Sequence, residues 1–505
     1  MPSRTIVRKN QYQDSVRLMA ISRQASSLDG VGKVMVLLGS ESNKKVLGDL
    51  GLLDAAARAA TANDLVISID ADTEEACNIA LAEVDRFLSL PVKSSIESGH
   101  FRTVEHAIDG LAGANLVLFS VPGQFAKLDA AAALNRGLHV MIFSDNVPVE
   151  DEIYLKRLAE QRDLLMMGPD CGTAIINGVP LAFANVVRRG DIGIVGASGT
   201  GIQEVSSLID RFHGGVSHAI GVGGRDLKKQ VGGIMMRLAI RKLGGDPNTT
   251  CIVLISKPAE PSVMKAVLNE ARSTGKRVVA CILGAGKTSE YGSGVTMAFT
   301  LEEAALSALN LVQEQESVSR ELRTCAAGLP ATRRYLRGLF SGGTLCHEAL
   351  LLFQGALEVY SNVSPLKELR LHYPARGKEH CCIDMGEDDF TRGRPHPMID
   401  GQCRCERLIE EFQHPEVRVI LLDVVLGHGA AADPAGEIAE ALAEARRGLS
   451  AGETEPLVFA HVCGTERDPQ SMPAQENKLR QAGVHLFSTN ARAARAALSV
   501  VTKAV

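Results

Sequence analysis

The chain has 505 residues, a formal net charge of −5 and 45% hydrophobic residues, whereas only 4% are aromatic and none is tryptophan. Without a basic surplus or aromatic stacking platforms, nucleic acid is not expected as a partner, and no apolar run approaches the roughly 18 residues that a membrane helix needs. The length predicts about three or four domains. The 11 scattered cysteines, with no secretory signal near the start, predict reduced thiols in a cytoplasmic protein.

Residues 1–92 are predicted to form a small α/β module of the ferredoxin-like type, because short apolar strands alternate there with helical segments. The strands are predicted at residues 5–8, 33–38 and 64–70, and the longer helices at 14–27 and 73–89. The polar stretch 91–101 that follows is predicted to be a linker.

The remainder of the chain is predicted to be α/β, with several parallel sheets. Its strands are apolar throughout and are separated by helices, which is typical of sheets covered on both faces. These strands are predicted at residues 115–121, 139–143, 164–167, 192–195, 252–256, 278–283, 382–385, 419–425, 457–462 and 484–487. Breaks between the runs divide this part into predicted domains at 100–189, 190–318 and 335–505.

A glycine-rich turn, Gly196-Ala-Ser-Gly-Thr-Gly201, joins a buried strand to an amphipathic helix. Small residues let backbone N–H groups converge at the start of the helix, where its dipole favours an anion such as phosphate or carboxylate. The alternative is a tight turn that binds nothing. Ser341-Gly-Gly-Thr344 is a second small-residue turn that opens a helix.

Two other motifs lack a residue or a spacing that the corresponding binding site requires. Gly284-Ala-Gly-Lys-Thr288 lacks the first glycine of a P-loop, since that position is Cys281. The clusters His380-Cys381-Cys382 and Cys403-x-Cys405 lack the spacing of a zinc site. No metal is therefore predicted.

Three strings resemble, in order and spacing, the α-subunit of succinyl-CoA synthetase: MMGPDC at 166–171, GIVGASGT at 193–200 and IGVGG at 220–224. Residues 338–500, with SGGT at 341–344 and VLG at 425–427, resemble the carboxyl-terminal domain of its β-subunit. The FdrA family fuses these parts, and residues 168–201 and 388–400 are the strings most similar to it.

The resemblance implies Rossmann-like and flavodoxin-like domains of the succinyl-CoA synthetase type. On this basis residues 100–189 correspond to part of a CoA-binding-type domain, 190–318 to a flavodoxin-like ligase domain, and 335–505 to a second ligase-type domain. The small module at 1–92 takes the place of the amino-terminal half of the family's CoA-binding domain, so CoA binding is left open.

Two departures from the ligase pattern change the expected chemistry. The ligases carry a phosphoryl group on a histidine after the strand equivalent to 278–283, and this chain has no histidine between His218 and His347. It also has no segment for the ATP-grasp domain that phosphorylates this histidine, a full domain of about 200 residues. Phosphate is therefore expected to enter as a substrate.

The resemblance to FdrA implies a specific reaction, in which oxalurate and phosphate give oxamate and carbamoyl phosphate during anaerobic allantoin breakdown. Companion subunits in a hetero-oligomer and a small anionic substrate are implied with it, and no further cofactor. Two alternatives remain: an acyl-CoA synthetase that takes its ATP-grasp domain from a partner, and a non-catalytic scaffold subunit.

The predicted phosphate contacts come from the amino termini of two helices that aim at one phosphate in the ligases. They are Gly196, Ser198, Gly199, Thr200, Gly201, Ser341, Gly342, Gly343 and Thr344. Asp170 and Cys171 follow a strand that faces the same crevice, and are predicted either to contact substrate or to be a helix cap and a buried thiol.

Charged and titratable residues complete the predicted site. Lys257 stands where the ligases have the glutamate that supports the phosphohistidine, so it is expected to hold an anionic substrate. Arg392 and Arg394 either clamp a carboxylate or form a solvated loop or salt bridge. His396 and His428 are predicted proton-transfer groups, with a structural role as the alternative.

Overall fold

The computed structural model describes residues 2–11, 13, 15–26, 28–89, 101, 103–285, 294–312, 326–371, 376–391, 394–450 and 452–502. The chain divides into two compact units. The first contains residues 1–99 and 387–396, and the second contains residues 100–386 and 397–505. Most of the predicted linker at 91–101 lies outside the described residues.

The amino-terminal module is an antiparallel sheet in the order β1-β3-β2, with helices on both faces. Its elements are β1 (Ser3–Arg8), α1 (Ser15–Ser26), β2 (Val31–Leu38), α2 (Glu41–Asp49), α3 (Ala55–Ala59), β3 (Leu65–Ala71) and α4 (Glu74–Ser89). Alternation along β3 sends Ile67 and Ile69 toward Leu18 and Val84, and Val66 toward Leu47. The predicted small α/β module is confirmed.

The second unit begins with a parallel sheet in the order β4-β5-β6. The elements of this segment are α5 (Val104–Gly110), β4 (Leu116–Phe119), α6 (Ala126–Asn135), β5 (His139–Ile142), α7 (Val149–Gln161) and β6 (Met166–Met167). The strands lie within the predicted ranges, and apolar residues such as Val140 and Met141 are fully buried between the helices.

A seven-stranded sheet follows in the order β13-β12-β11-β9-β10-β7-β8. Its elements are β7 (Thr173–Ile176), β8 (Val179–Ala182), β9 (Arg189–Gly196), α8 (Gly199–Arg211), β10 (Val216–Gly221), α9 (Ile234–Gly245), β11 (Cys251–Ser256), α10 (Pro261–Ser273), β12 (Arg277–Ile282), β13 (Thr296–Ala298) and α11 (Leu301–Ala308). The strands from β9 to β13 pair in parallel, whereas β7 and β8 form an antiparallel hairpin.

The β7–β8 hairpin was not predicted, although the sequence contains its signal. Asn177 and Gly178 both have positive φ, 54° and 81°, as the two central residues of a tight hairpin turn require. The hairpin precedes residue 189 but pairs with β10, so one sheet extends across the predicted boundary at 189/190. The predicted domain boundaries themselves stay predictions.

The carboxyl-terminal sheet is parallel, in the order β15-β14-β16-β17-β18. Its elements are β14 (Tyr335–Phe340), α12 (Gly343–Phe353), β15 (Cys381–Asp384), α13 (Gln402–Gln413), β16 (Val417–Val425), α14 (Pro434–Arg447), β17 (Leu457–Cys463), α15 (Met472–Gln481), β18 (His485–Phe487) and α16 (Asn490–Thr502). The parallel-sheet α/β fold class is thus confirmed, and β14 is a strand that the sequence analysis omitted.

The seven-stranded and five-stranded sheets share one hydrophobic core. Ile202 of α8, Ile255 of β11, Leu345 of α12 and Leu421 of β16 are fully buried in it. Burying each such side chain stabilises the fold by about 1.5–3 kcal/mol. Because α8 and α12 pack against each other in this core, the starts of the two helices are held together.

Candidate functional site

The two small-residue turns predicted from the sequence meet in the structure. The hydroxyl oxygens of Ser198 and Thr344 lie 2.5 Å apart, although the two residues are 146 positions apart in the chain. Ser198 immediately precedes α8, and Thr344 is the second residue of α12. The amino termini of two helices from two different sheets therefore converge at one place.

At the start of α8, Ser198 caps the helix. Its backbone is extended (φ −158°, ψ 116°), and its hydroxyl oxygen accepts the N–H of Gly201 at 3.0 Å. The first helical bond runs from Ile202 N–H to the Ser198 carbonyl. The N–H groups of Gly199 and Thr200 precede this bond and have no partner within the helix. Both residues are partly exposed, so a small anion can reach them.

Glycine is required in this turn for packing as well as for access. A Cβ at Gly201 would lie 2.6 Å from the Ser198 hydroxyl and 2.9 Å from Ile255, and one at Gly196 would lie 2.5 Å from Ile202. Gly196 therefore allows close packing of the strand against the helix, and the N–H of Gly201 is bonded to Ser198. Ser198, Gly199 and Thr200 remain as the predicted phosphate contacts in this turn.

At the start of α12, part of the predicted phosphate site is already occupied by a carboxylate. The N–H groups of Ser341 and Gly342 donate to Asp423 at 2.7 and 2.6 Å, and the Ser341 hydroxyl donates to it at 3.1 Å. The N–H groups of Ser341 and Gly342 are thus already bonded within the protein, and phosphate contact by these two residues stays a prediction. Gly343 and Thr344 stay candidates, since their N–H groups precede the first helical bond.

Arg404 neutralises the Asp423 carboxylate. Its guanidinium donates to an Asp423 carboxylate oxygen at 3.0 Å and to the Asp423 carbonyl at 2.7 Å, and both side chains are buried. The sequence analysis missed this pair. Its signal was an aspartate inside the apolar strand Val417–Val425, because a buried carboxylate needs a charged or hydrogen-bonding partner.

Lys257 lies beside the start of α12, following the end of β11. A Cβ at Gly343 would lie 3.1 Å from the Lys257 ammonium nitrogen and would clash with a carboxylate oxygen of Asp384. The other Asp384 oxygen accepts the N–H of Gly386 at 3.0 Å. The lysine is partly exposed. A cation therefore lies beside the start of α12, with the Asp384 carboxylate next to it, and its contact with an anionic substrate stays a prediction.

Below the helix termini, the second turns of α8 and α12 carry buried carboxylates. Glu204 pairs with His461 of β17 at 2.8 Å, and His461 Nδ1 lies 3.2 Å from the Phe487 carbonyl. Glu348 accepts the Leu301 N–H and the Asn490 side-chain amide, each at 2.7 Å. These contacts join both helices to elements of the neighbouring sheet.

The pKa values of these two buried carboxyls are shifted in opposite directions. Burial raises the pKa of Glu348 to about 7, because the hydrogen bonds from Asn490 and Leu301 only partly offset it. Burial would also raise the pKa of Glu204, but the charge of His461 and its hydrogen bond outweigh it and hold that pKa below its usual range.

His347 is a further residue of this region that the sequence analysis did not assign. It lies one turn into α12 and is 7% exposed, and its Nε2 has no hydrogen-bond partner among the described residues. Burial, followed by the nearby charge of Lys257, lowers the pKa of His347 to about 4. Its imidazole is therefore neutral at physiological pH.

Asp170 and Cys171 lie on the loop after β6. Asp170 is exposed with φ 55°. The Cys171 thiol is buried, lies 3.5 Å from the Thr173 carbonyl and 3.4 Å from the Gly221 carbonyl, and has a pKa raised by burial to about 12. Cys171 therefore matches the buried-thiol alternative and not a substrate contact, while the substrate contact of Asp170 stays a prediction.

The remaining predicted residues lie elsewhere. Arg392 is outside the described residues. Arg394 and His396 belong to the first compact unit, and Arg394 is exposed. His428 is exposed and follows the carboxyl end of β16, and its backbone N–H donates to the Ala184 carbonyl at 2.9 Å. Proton transfer by His396 or His428, and a carboxylate clamp by the arginines, stay predictions.

Neither a metal cluster nor a membrane span is found in the described part of the chain. There, no three His, Cys, Asp or Glu side chains are grouped so that they could hold a metal ion. Cys381 and Cys382 are fully buried in β15, and burial raises the pKa of each thiol. No helix among these residues combines the length and apolar character needed to cross a bilayer.

Three family models match the chain. A CoA-ligase model matches residues 339–500, a CoA binding domain model matches 187–284, and a model described as AllF, heavy metal-associated domain, matches 1–102. The CoA binding match thus overlaps the segment 100–189, for which the sequence predicted a CoA-binding-type domain, at residues 187–189 alone, and it includes the α8 turn.

A full-length relative decides the family. The chain is 44% identical over 498 residues to the uncharacterized protein YahF of Escherichia coli (strain K12), and the match covers 97% of both proteins. The chain belongs to the YahF family. With the domain matches above, residues 187–284 and 339–500 have the fold of acyl-CoA synthetases of the succinyl-CoA synthetase type.

Over shorter stretches, this YahF-family chain is also similar in sequence to subunits of CoA ligases. It is 30% identical over 190 residues to the succinate–CoA ligase [ADP-forming] subunit alpha of Aquifex aeolicus, covering 36% of this chain and 61% of that subunit. It is 26% identical over 189 residues to the ADP-forming sulfoacetate-CoA ligase subunit SauD of Bilophila wadsworthia, covering 35% and 62%. Membership of FdrA stays a prediction.

Proposed function

We propose that this chain is a subunit of a phosphate-dependent acyl or carbamoyl transferase, and that it binds phosphate at the amino termini of α8 and α12. The observation that carries the proposal is the 2.5 Å contact between the Ser198 and Thr344 hydroxyls, with Lys257 beside the same helix start. Two helix termini and a cation at one place are the features that favour a bound anion.

The expected binding strength follows from the groups present. Each helix terminus contributes about 0.3–2 kcal/mol toward an anion, depending on how far water is excluded. N–H groups of Gly199, Thr200, Gly343 and Thr344 are available as donors within one turn of each other. The Asp423 carboxylate opposes anion binding only weakly, since Arg404 and two backbone amides already neutralise it.

The specific reaction comes from the resemblance to FdrA. A phosphate oxygen would attack the carbamoyl carbon of oxalurate, forming a carbon–oxygen bond; the bond from that carbon to the oxamate nitrogen breaks, and this nitrogen takes up a proton. Carbamoyl phosphate and oxamate result. Lys257 would stabilise the negative charge that develops on the carbonyl oxygen, and the helix termini would position the phosphate.

This chemistry needs neither a phosphohistidine nor an ATP-grasp domain, which agrees with the two departures from the ligase pattern. The relatives from Aquifex aeolicus and Bilophila wadsworthia are both named as subunits, which supports companion subunits for this chain as well. We propose a hetero-oligomeric enzyme, with a small anionic substrate at the α8–α12 site.

The alternative is an ADP-forming acyl-CoA synthetase. It is favoured by the names of the same two relatives and by the CoA binding match over residues 187–284. In that reaction the N–H groups of Gly199 and Thr200 would hold a phosphate group, CoA would accept the acyl group, and a partner would supply the ATP-grasp domain. A non-catalytic scaffold role is the third possibility.

Calorimetric titration of the full chain with inorganic phosphate tests the site. We expect Ser198→Asp to weaken phosphate binding at least tenfold, because like charges about 4 Å apart near a protein surface repel by about 4 kcal/mol. Aspartate still caps a helix, so the fold is retained. The matched control is Ser40→Asp, since Ser40 caps α2 in the same way. Equal phosphate affinity for wild type and Ser198→Asp would reject the site.

An activity assay separates the reactions. The chain is assayed alone and with its co-encoded partners, once with oxamate and carbamoyl phosphate and once with ATP, CoA and succinate or sulfoacetate. Oxalurate formation that Ser198→Asp abolishes supports carbamoyl transfer. Turnover only with ATP and CoA supports the ligase alternative, and an inert complex with normal assembly supports the scaffold.

A further inference from the structure

A third segment of the chain reaches the start of α8. The loop after β6 ends at Thr173, the first residue of β7, and a Cβ at Gly199 would lie 3.1 Å from the Thr173 hydroxyl oxygen. Gly199 is the first residue of α8, and its N–H is one of the proposed phosphate donors. The Thr173 hydroxyl therefore borders the proposed phosphate site, a role that the sequence analysis did not assign.

The alternation along β7 explains why Thr173 faces this helix. Alternate residues of a strand share a face, so Thr173 and Ile175 lie on the same side of β7. Ile175 is buried in the same core as Ile202 and Val205 of α8. Ala174, between them in the strand, points to the other face and packs in a different core. Thr173 therefore also faces α8, close to the start of the helix.

The Thr173 hydroxyl is buried without a hydrogen bond. The residue is 2% exposed, and its Oγ1 has no partner among the described residues. Buried polar groups are nearly always hydrogen-bonded, because an unmade bond costs the desolvation of the group. Valine has nearly the same shape and no polar atom, so packing alone would favour valine here. Packing therefore does not account for the hydroxyl.

We propose that Thr173 is a further phosphate-binding residue, whose hydroxyl donates a hydrogen bond to a phosphate oxygen at the start of α8. The inference rests on the proposed phosphate site and adds a third segment of the chain to it. A hydrogen bond to a charged oxygen is stronger than one to a neutral acceptor, so a single hydroxyl adds appreciably to the backbone donors. Inorganic phosphate and carbamoyl phosphate both present such oxygens, so Thr173 has the same role in both directions of the proposed carbamoyl transfer.

Removal of the hydroxyl alone tests this on the full chain. Thr173→Val keeps the shape of the side chain, and calorimetric titration should show phosphate binding at least about tenfold weaker than in wild type, as expected for a lost hydrogen bond to a charged group. Without phosphate, the variant should unfold at the wild-type temperature or above it, because it no longer buries an unpartnered hydroxyl. Thr173→Ser keeps the hydroxyl and should recover most of the phosphate affinity.

Ser207 supplies the matched control. It lies on α8 and is 1% exposed, and its hydroxyl also has no hydrogen-bond partner in the described part of the chain. It follows Ser198 by more than two helical turns, roughly 13 Å along the helix axis, and is therefore outside the phosphate site. Ser207→Ala should unfold at the wild-type temperature or above it, as Thr173→Val does, and should leave phosphate affinity unchanged.

The outcomes separate the inference from the function on which it rests. Weaker phosphate binding by Thr173→Val at undiminished thermal stability, with recovery in Thr173→Ser, supports the inference. Equal phosphate affinity for Thr173→Val and wild type would overturn Thr173 as a ligand and leave the α8–α12 site intact. A lower unfolding temperature for Thr173→Val would show that the hydroxyl has a structural partner, and this too would overturn the inference. If wild type binds no phosphate, the proposed phosphate site is rejected and the inference with it.

Discussion

Glu204 of α8 and His461 of β17 form a 2.8 Å ion pair in which each side chain is at most 1% exposed, although 257 positions separate them in the chain. Both ring nitrogens of His461 face acceptors, since Nδ1 points to the Phe487 carbonyl. The pair therefore joins the helix that starts at Ser198 to the five-stranded sheet.

Removing the histidine should strongly destabilise the fold. His461→Leu removes the cationic partner of the buried Glu204 carboxylate and leaves it the Cys463 thiol as a hydrogen-bond donor and the charge of Arg211. We expect a loss of about 3–5 kcal/mol in the free energy of unfolding, measured by urea denaturation. Lys478→Gln breaks an exposed pair with Asp433 and should cost at most about 1 kcal/mol. A Glu204→Gln/His461→Leu double variant as unstable as His461→Leu would contradict the buried-charge explanation.

Glu348 should make stability depend on pH near neutrality. Its folded pKa is raised to about 7, so the unfolded state loses its proton first; the stabilising effect is complete at acidic pH and is lost as pH rises from the ordinary carboxyl pKa through 7. The full loss is about 3–4 kcal/mol. Glu348→Gln should therefore flatten the pH dependence of unfolding between pH 5 and 8, and parallel curves for the two proteins would be the contrary result.

Asp423 should act on the start of α12 by holding two backbone amides and Arg404 together. Asp423→Asn keeps one acceptor oxygen but leaves the buried Arg404 charge without its counterion, and we expect a cost of about 3–5 kcal/mol in unfolding free energy. Asp433→Asn at an exposed helix cap is the control and should cost at most about 1 kcal/mol, since asparagine is also a good cap. Equal effects of the two substitutions would refute the role of Asp423.

Gly201 should tolerate no side chain. A Cβ there meets the Ser198 hydroxyl and Ile255, so Gly201→Ala is expected to cost about 1–3 kcal/mol and to displace the helix cap. Gly245, at the end of α9, has nothing within 4 Å of a Cβ, so Gly245→Ala should be neutral or stabilise by up to about 1 kcal/mol. Thermal unfolding of the two variants measures the difference; a fully stable Gly201→Ala protein would show that the turn has room to adjust.

The sequence by itself determined the fold class and the positions of the two small-residue turns. Apolar runs and helical spacing gave the parallel sheets, because these patterns reflect local burial and chain geometry. The turns at Ser198 and Thr344, and the position of Lys257, were identifiable because small residues and a charge at a strand end are local features.

Only the tertiary structure decided which of these residues work together. It brought Ser198 to Thr344 across 146 positions, and it placed the Asp423 carboxylate on the backbone amides of Ser341 and Gly342. It also buried Cys171 and His347. Which side chains are buried, and which distant residues form hydrogen bonds, depends on how the two sheets pack around one core. No local sequence pattern encodes that packing.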